Sequence, residues 1–445
     1  MTAAQFPLTV ASVMSSTPYV AYTYSYPHKT AYRPIAPALH LRDVWAGEAV
    51  DSLFLYVHLP FCEMRCGFCN LFTTANPRGD IVDEYLAVLE RQCSQVKSAI
   101  DLARFARCAI GGGTPTYLSA RQLECLFDML SRVWKVDFWT VPTSVETSPR
   151  TSDQEKLCVL KRRGVSRISI GVQSMIDGEV NAAGRAQKAQ WVSAAIDRIR
   201  AAGFATLNVD LIYGLPGQTR ASWHESLERV LDFRPEEIYL YPLYVRPLTG
   251  LDRRGSRPQD QLRLDCYRAA RDTLLASGYQ QLSMRMFRGA AAPEQAGPVY
   301  CCQEDGMVGI GCGARSYTSR LHYSSEYAVG TTGVKAILRD YLQKTDAQLD
   351  QVDYGCHLDA AEQKRRFVIK SLLRSEGLNT AAYSARFGSE VEVDLPEILD
   401  LVEEGLVVGG SQLQLTEAGM ERSDAVGPYL YSASVREMMD DYELR

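Results

Sequence analysis

His58-Leu59-Pro60-Phe61-Cys62-Glu63-Met64-Arg65-Cys66-Gly67-Phe68-Cys69 sets three cysteines in the spacing C-x3-C-x2-C. Three thiolates this close in sequence can hold three irons of a [4Fe–4S] cluster, which ordinarily takes four cysteines. A missing fourth ligand leaves one iron open to an outside molecule. Two other readings stand beside this one: a zinc site short of a ligand, and chance in a chain of twelve cysteines. Zinc sites usually join a C-x2-C pair to a second pair of that spacing or to a His pair, and no such pair follows downstream. The remaining cysteines are scattered, mostly in apolar stretches, and read as small buried hydrophobes.

Outward from the triplet, strand and helix alternate. Residues 53–57 read as a strand delivering the cysteine loop. Further strands are predicted at 107–110, 143–146, 166–172, 206–213 and 237–245. Helices are predicted at 83–99, 119–133 (Ser119 as N-cap), after Ser152 as cap, at 189–202 ended by Gly203, and at 222–231. Six β-then-α units imply parallel strands with right-handed crossovers. Six are too few for a closed eight-fold barrel, so the fold class is α/β, a partial (β/α)6 TIM-like barrel. In such folds the functional groups gather at the C-terminal strand ends. The cysteines, Gly111-Gly112-Gly113, Glu146, Gln173 and Asp210 all fall there.

After the barrel come a helix at 259–276 and a strand at 280–287. The glycine-rich run 306–317 follows, suited to lie close under a ligand or another backbone. Helices at 361–375, 380–387 and 395–404, then short strands at 406–408 and 412–415, have the order of a winged helix. Acidic residues outnumber basic ones there, which favours a lid or docking role over nucleic acid. The expected division is 1–50, an extension packing on the active site; 51–250, the barrel; 251–359, a barrel extension with the substrate region; and 360–445, a winged-helix-like α+β domain.

The net charge of −5 comes from well-mixed charges and offers no basic stripe for nucleic acid. No run of about 18 apolar residues suggests a membrane span. The first twenty residues lack the pattern of a secretory signal. Many cysteines without a short secreted framework point to a reducing cytoplasm.

Together these residues resemble the radical SAM superfamily, and closely its branch typified by oxygen-independent coproporphyrinogen III oxidase. The matching stretches are Tyr56–Cys62, Gly111–Leu118, Glu146–Pro149, Gly171–Ser174, Gly184–Gln187, Asp210–Gly217 and Leu415–Gly427, with an echo at Ser25–His28. The resemblance implies that Cys62, Cys66 and Cys69 ligate the cluster and that S-adenosylmethionine, in two copies, is the co-substrate. A 5′-deoxyadenosyl radical would follow, with a flavodoxin or ferredoxin as reductant. By the same analogy Tyr56, Gly112 and Glu146 serve one copy of S-adenosylmethionine. Phe68, Gly113, Thr114, Gln173, Arg185 and Asp210 surround the other. Backbone N–H groups at Gly112 and Gly113 would meet a carboxylate, Glu146 an ammonium, Arg185 a carboxylate and Asp210 ribose hydroxyls.

The chain also departs from that branch. Leu71 stands where the oxidases often carry another cysteine, and Met284-Arg285-Met286 and Cys301-Cys302 have no counterpart. These departures favour transfer of a methyl or methylene group to an sp2 carbon, giving C-methylation or a cyclopropane with a partner methyltransferase-type protein. Oxidative decarboxylation of coproporphyrinogen III is the alternative. Its four propionates would want convergent cations, with Lys29, Arg33, Arg285, Arg288 and Arg315 as candidates. A haem chaperone is the non-enzymatic alternative. The small-molecule substrate is thus aromatic or tetrapyrrole-like, and Tyr26, His28, Arg285 and Tyr327 are the candidates to face it.

Overall fold

The computed structural model describes residues 9–294 and 300–444. The first eight residues of the expected extension and residues 295–299 of the expected substrate region lie outside the described residues. Six parallel strands stand side by side in sequence order: β1 (Leu53–Leu59), β2 (Phe105–Gly112), β3 (Thr143–Thr147), β4 (Arg167–Gln173), β5 (Thr206–Tyr213) and β6 (Glu237–Pro242). Helices α1 (Gly79–Ala99), α2 (Ala120–Trp134), α3 (Gln154–Arg162), α4 (Ala189–Ala202) and α5 (Arg220–Leu231) connect them, and α6 (Asp260–Ala276) follows β6. This is the partial (β/α)6 barrel that the alternation predicts.

Local chemistry explains the helix boundaries. Ser119 caps α2 and exchanges bonds with Gln122, a reciprocal capping box. Gly203 ends α4 in the left-handed conformation, φ 72°. Ser152 does not cap α3. Asp153 does, its carboxylate accepting from the Lys156 N–H, and a charged acceptor gains from the helix dipole as well.

The sheet is larger than six strands. Among the described residues it has thirteen, with Met307–Ile310 lying parallel to β1 on its outer edge. The glycine-rich run is therefore a strand and a return: Arg315–Tyr317 folds back antiparallel on it. A Cβ at Gly309 would collide with the Arg315 backbone, so close backbone approach is what that glycine permits. Residues 280–287 are not one strand. Tyr279–Gln281 and Met286–Gly289 form a hairpin against β6. Ser283 Oγ accepts from the Arg285 and Met286 N–H groups at 3.3 and 3.1 Å and turns the chain. The N-terminal strand Arg33–His40 pairs with Gln351–His357 at the far edge.

The two faces of the barrel sheet differ. Outward positions, among them Leu55, Val57, Cys108, Ile110, Val145, Ile168, Ile170, Val209, Leu211, Ile238 and Leu240, are buried beneath the helices. Inward positions alternate with them, as the two-residue period of a strand requires. Yet Tyr56, Glu146, Gly171, Asp210, Tyr239 and Tyr241 keep accessible surface. The interior is therefore a lined space, not the packed core of a closed barrel.

At the C-terminal end, helices Ala360–Leu372, Thr380–Phe387 and Glu397–Glu403 surround a small three-stranded sheet of Leu378–Asn379, Gln412–Leu415 and Val407–Val408. This winged-helix-like unit is tied to the barrel by ion pairs. Arg268 grips Glu421 with two nitrogens, at 2.7 and 2.6 Å. Arg285 pairs with Asp424, both almost wholly buried, and the Tyr244 hydroxyl donates to the same carboxylate. Among the described residues no helix is long and apolar enough to cross a membrane. Replacing Asp424 by Ala strands the Arg285 charge and should destabilise the protein by about 3–5 kcal/mol in denaturant titration. An unchanged midpoint would show that the pair contributes nothing.

Candidate active site

The cysteine loop leaves the C-terminal end of β1 and is pinned at both ends. Phe61–Cys62 pairs in parallel with Thr74–Ala75. The Asn76 N–H donates to the Cys62 carbonyl at 2.9 Å, and the Gly67 N–H to the Ala183 carbonyl at 3.0 Å. All three thiols are free and half-buried. Each has a donor beside it: Thr114 Oγ1 at 3.6 Å from Cys62 Sγ, Arg185 Nη1 at 3.3 Å from Cys66 Sγ and Thr73 Oγ1 at 3.8 Å from Cys69 Sγ. Burial, then the neighbouring Cys69, pushes the Cys62 thiol up to about 12. Burial and Cys66 raise Cys69 in the same way.

Among the described residues, no group of three or more His, Cys, Asp or Glu side chains converges on a single metal ion. Thiolates on three corners of an iron–sulfur cube stand further apart than ligands of one ion. Free thiols electrostatically coupled to one another, each with its own hydrogen-bond donor, fit the cluster.

Glycines let this loop sit against the ends of β2 and β4. A Cβ on Gly113 would come within 2.5 Å of the Phe61 carbonyl and 2.9 Å of Cys62 Sγ. One on Gly112 (φ 114°) would strike the His58 ring at 2.6 Å. His58 is buried, and burial holds its imidazole down at about 4, hence neutral. Its Nε2–H donates to the Phe72 carbonyl at 3.0 Å. That fixes Nδ1 as the acceptor for the Tyr56 hydroxyl at 3.2 Å. His58 therefore orients Tyr56 and props the loop.

The expected roles of Gly112 and Gly113 need correction. Neither N–H is free for a ligand carboxylate. Gly112 N–H donates to Glu146 Oε2 at 3.1 Å, and Gly113 N–H to the Leu59 carbonyl at 2.8 Å, at the margin of the β1–β2 ladder. Arg185 is also engaged, by Cys66, by the Gly171 carbonyl (2.7 Å) and by Gln187 (2.8 Å). Gln173 sits at a bulge in the β4–β5 ladder with φ 69°, a rare conformation for a side-chain-bearing residue. Phe68 packs on an apolar group of Ala183, Ile212, Leu215, Leu243 and Leu251.

Glu146 is solvent-accessible although protein rings it, so it projects into the interior space. Burial and then Asp210 push its carboxyl up to about 7. Burial also raises Asp210, which accepts from Asn208 Nδ2 at 2.8 Å and Ser169 Oγ at 3.2 Å. Arg167 closes the floor, bonded to Glu237 at 2.7 Å and Ser144 at 2.8 Å.

The substrate-side candidates separate. Tyr26 is buried in the C-terminal core, donates to Glu362 and accepts from the Ser432 N–H. It is a structural anchor. Arg285 is neutralised by Asp424 and lies 3.7 Å from the centre of the Tyr22 ring. Arg33 binds the carbonyls of Thr30, Tyr32 and Met438, and Arg288 binds the Pro293 carbonyl near Glu237. Tyr327 does approach the cluster loop, donating to the Asn70 carbonyl at 2.6 Å with Lys29 Nζ 3.4 Å over its ring. His28 meets the Tyr24 ring edge-on at 5.3 Å, with Nδ1 turned to Thr30. Tyr22, Tyr24 and Arg246 were missed by sequence reasoning. Arg246 lies just past the C-terminal end of β6, where the strand-end rule applies to it as to the others.

Of the isolated cysteines, Cys93, Cys108, Cys266, Cys312 and Cys356 are buried as expected, whereas Cys125 is exposed. Gly113→Ala should impair cluster loading. Iron and sulfide content after reconstitution should fall well below wild type with the melting curve little changed; full loading would remove the steric argument.

Comparison with known proteins agrees with this geometry. Residues 56–230 match the Radical SAM superfamily. The heme chaperone HemW of Bacillus subtilis is 30% identical over 82% of this chain and 95% of its own. The oxygen-independent coproporphyrinogen III oxidase of Escherichia coli is 28% identical over 89% and 91%. The solved coproporphyrinogen III oxidase (HemN) of Escherichia coli, described as a radical SAM enzyme, superposes with a TM-score of 0.76 at 25% identity, covering 95% of this chain and 99% of that one. The Cys62–Cys66–Cys69 loop and the barrel beneath it thus belong to a member of the radical SAM superfamily, in the branch of the oxygen-independent coproporphyrinogen III oxidases and HemW-type heme chaperones.

Proposed function

We propose that this chain uses its [4Fe–4S] cluster and S-adenosylmethionine to decarboxylate the propionate arms of a porphyrinogen oxidatively. The observation that carries the reading is the wall of the interior space. Tyr22, Tyr24, Tyr56, Tyr239, Tyr241 and Tyr244 keep accessible surface there, and Tyr239 and Tyr241 stack with ring centres 6.0 Å apart. Such a wall suits a broad, flat, conjugated molecule. The relatives named for coproporphyrinogen III oxidation support the same reading. Methyl or methylene transfer, expected from the departures in sequence, gains no support from the relatives described above.

When bound, the cluster and S-adenosylmethionine supply a 5′-deoxyadenosyl radical, which removes a hydrogen atom from an unactivated carbon. The chain's own residues do the rest. Cys62, Cys66 and Cys69 hold the cluster, and Arg185, Thr114 and Thr73 donate to their sulfurs. Glu146 takes the ammonium of S-adenosylmethionine, with Tyr56 beside it on His58. Asp210 receives ribose hydroxyls. Phe68 and Gln173 face the second copy of S-adenosylmethionine, together with the guanidinium donors of Arg185 not spent on Cys66, Gly171 and Gln187 and the Thr114 hydroxyl oxygen, which can still accept. The tyrosine wall excludes water from a radical site.

Heme transport is the second reading. It is favoured by the match to almost the whole of a heme chaperone and by Leu71, exposed where the oxidases often carry another cysteine. Reduced, reconstituted protein given coproporphyrinogen III should release carbon dioxide and form 5′-deoxyadenosine in step. Tight heme binding without turnover would replace decarboxylation with transport. Deuterium passing from methyl-labelled S-adenosylmethionine into deoxyadenosine would restore methylene chemistry.

Glu146→Gln should weaken S-adenosylmethionine binding about 10- to 100-fold, the worth of a charged hydrogen bond. Because its carboxyl titrates near 7, wild-type affinity should fall as pH drops from 8 to 6. The variant's affinity should be flatter across that range. Equal slopes in calorimetric titrations would show that Glu146 does not meet the ammonium.

A further inference from the structure

Three cations at the mouth of the barrel are paired with no carboxylate in any ion pair found among the described residues. Lys29, Arg246 and Arg315 come from the N-terminal segment, the end of β6 and the added edge of the sheet. Each is half-buried. Each lies over an aromatic ring instead of an acid: Lys29 3.4 Å over Tyr327, Arg315 4.5 Å over Tyr24 and Arg246 4.6 Å over Tyr244. The Nη1 of Arg315 is fully enclosed and has no hydrogen-bond partner. The groups are near enough to act on one another. Burial, then Arg315 and Arg246, pushes the Lys29 ammonium well below its usual range, and burial, then Lys29, Arg246 and Arg315, depresses His28.

Like charges gathered in a partly desolvated space repel, and an enclosed guanidinium without an acceptor is costly. Other arginines nearby are relieved of that cost: Arg285 has Asp424, Arg167 has Glu237 and Arg366 has Glu304. The arrangement of Lys29, Arg246 and Arg315 makes sense if an anion completes it. Two of the tyrosines that carry the cations, Tyr24 and Tyr244, belong to the wall of the interior space, and the third, Tyr327, lies against the cluster loop, so the anion arrives attached to a flat ring system.

We propose that Lys29, Arg246 and Arg315 form a carboxylate-binding subsite, beside the Cys69 corner of the cluster loop, that anchors the acidic side arms of the substrate. This rests on the aromatic-walled interior being the substrate site, but not on the reaction performed there. The subsite fixes which arms of a polycarboxylate are held and which remains free to meet the radical. The Tyr22–Arg285 contact, whose cation is already neutralised, takes no part.

The source of the carboxylate is separable by experiment, since S-adenosylmethionine carries one too. Coproporphyrin III, the air-stable oxidised ring with four propionates, serves as the probe, with its tetramethyl ester as the uncharged control. Binding to holoprotein is followed by quenching of porphyrin fluorescence. The acid should bind at least tenfold more tightly than the ester. Lys29→Gln and Arg315→Gln should each weaken the acid about tenfold or more, leave the ester unchanged, and leave S-adenosylmethionine affinity unchanged. Arg315→Gln should also raise the melting temperature of ligand-free protein, because it removes a charge whose enclosed nitrogen has no acceptor among the described residues. Equal binding of acid and ester would overturn the subsite. So would variants that weaken S-adenosylmethionine alone, which would assign the cations to that carboxylate. Absence of carbon dioxide release with the binding pattern intact would sink the decarboxylation and leave the subsite standing.

Discussion

The structure depends on how closely one backbone can approach another at the end of the first two strands. The loop bearing three thiols has to fold over the tip of β2, and there is no room between them for a β-carbon. Gly113 lies under Cys62, Gly112 under the His58 ring, and Gly67 against the Ala183 carbonyl and Arg254. With these contacts in place the sulfurs face one another and Glu146 stands beneath them. The same contacts also use up hydrogen-bond donors. N–H groups that look free in an isolated glycine turn are here spent on Leu59 and Glu146. The polar groups left over in the site are side chains projecting from the strands, and the glycines serve proximity.

A second consequence concerns volume. Closed barrels fill their interior with branched side chains. Here the inward positions carry tyrosines, carboxylates, a glycine and amides, and they retain surface. Burial on the outer face has to stabilise the sheet alone, which fits the continuous apolar runs on that side of β4, β5 and β6. The N-terminal segment and the C-terminal unit then complete the walls. Tyr22 and Tyr24 come from the first, and Asp424 steadies Arg285 and Tyr244 from the second.

Much of this was legible in the sequence. The six strands are local, apolar and punctuated by caps and glycines, so their positions follow from periodicity. The cysteine spacing and the strand-end acids could be read for the same reason: a single rule places functional groups at the C-terminal ends. What escaped depends on contacts between distant segments. Tyr26 looks like a site residue because it precedes His28, but Glu362 and Ser432 take its hydroxyl. Arg285 looks like a ligand cation because nothing near it in sequence is acidic, and its partner comes from Asp424. Residues 306–317 look like a ligand-facing turn because glycine is ambiguous between close approach to a ligand and close approach to a strand. The thirteen-stranded sheet resolves that ambiguity.

Tyr327 gives its hydroxyl to the Asn70 carbonyl, and Tyr442 gives its own to the Tyr327 carbonyl, at 2.6 Å in each case. The shell around the third cysteine is thus assembled from the beginning, the latter half and the end of the chain. Contacts of such long sequence separation form late, because loop closure is unfavourable until the intervening structure exists. The barrel strands carry the thiols, whereas the cover over the third one needs both ends of the chain. One part of the fold holds that sulfur and another guards it.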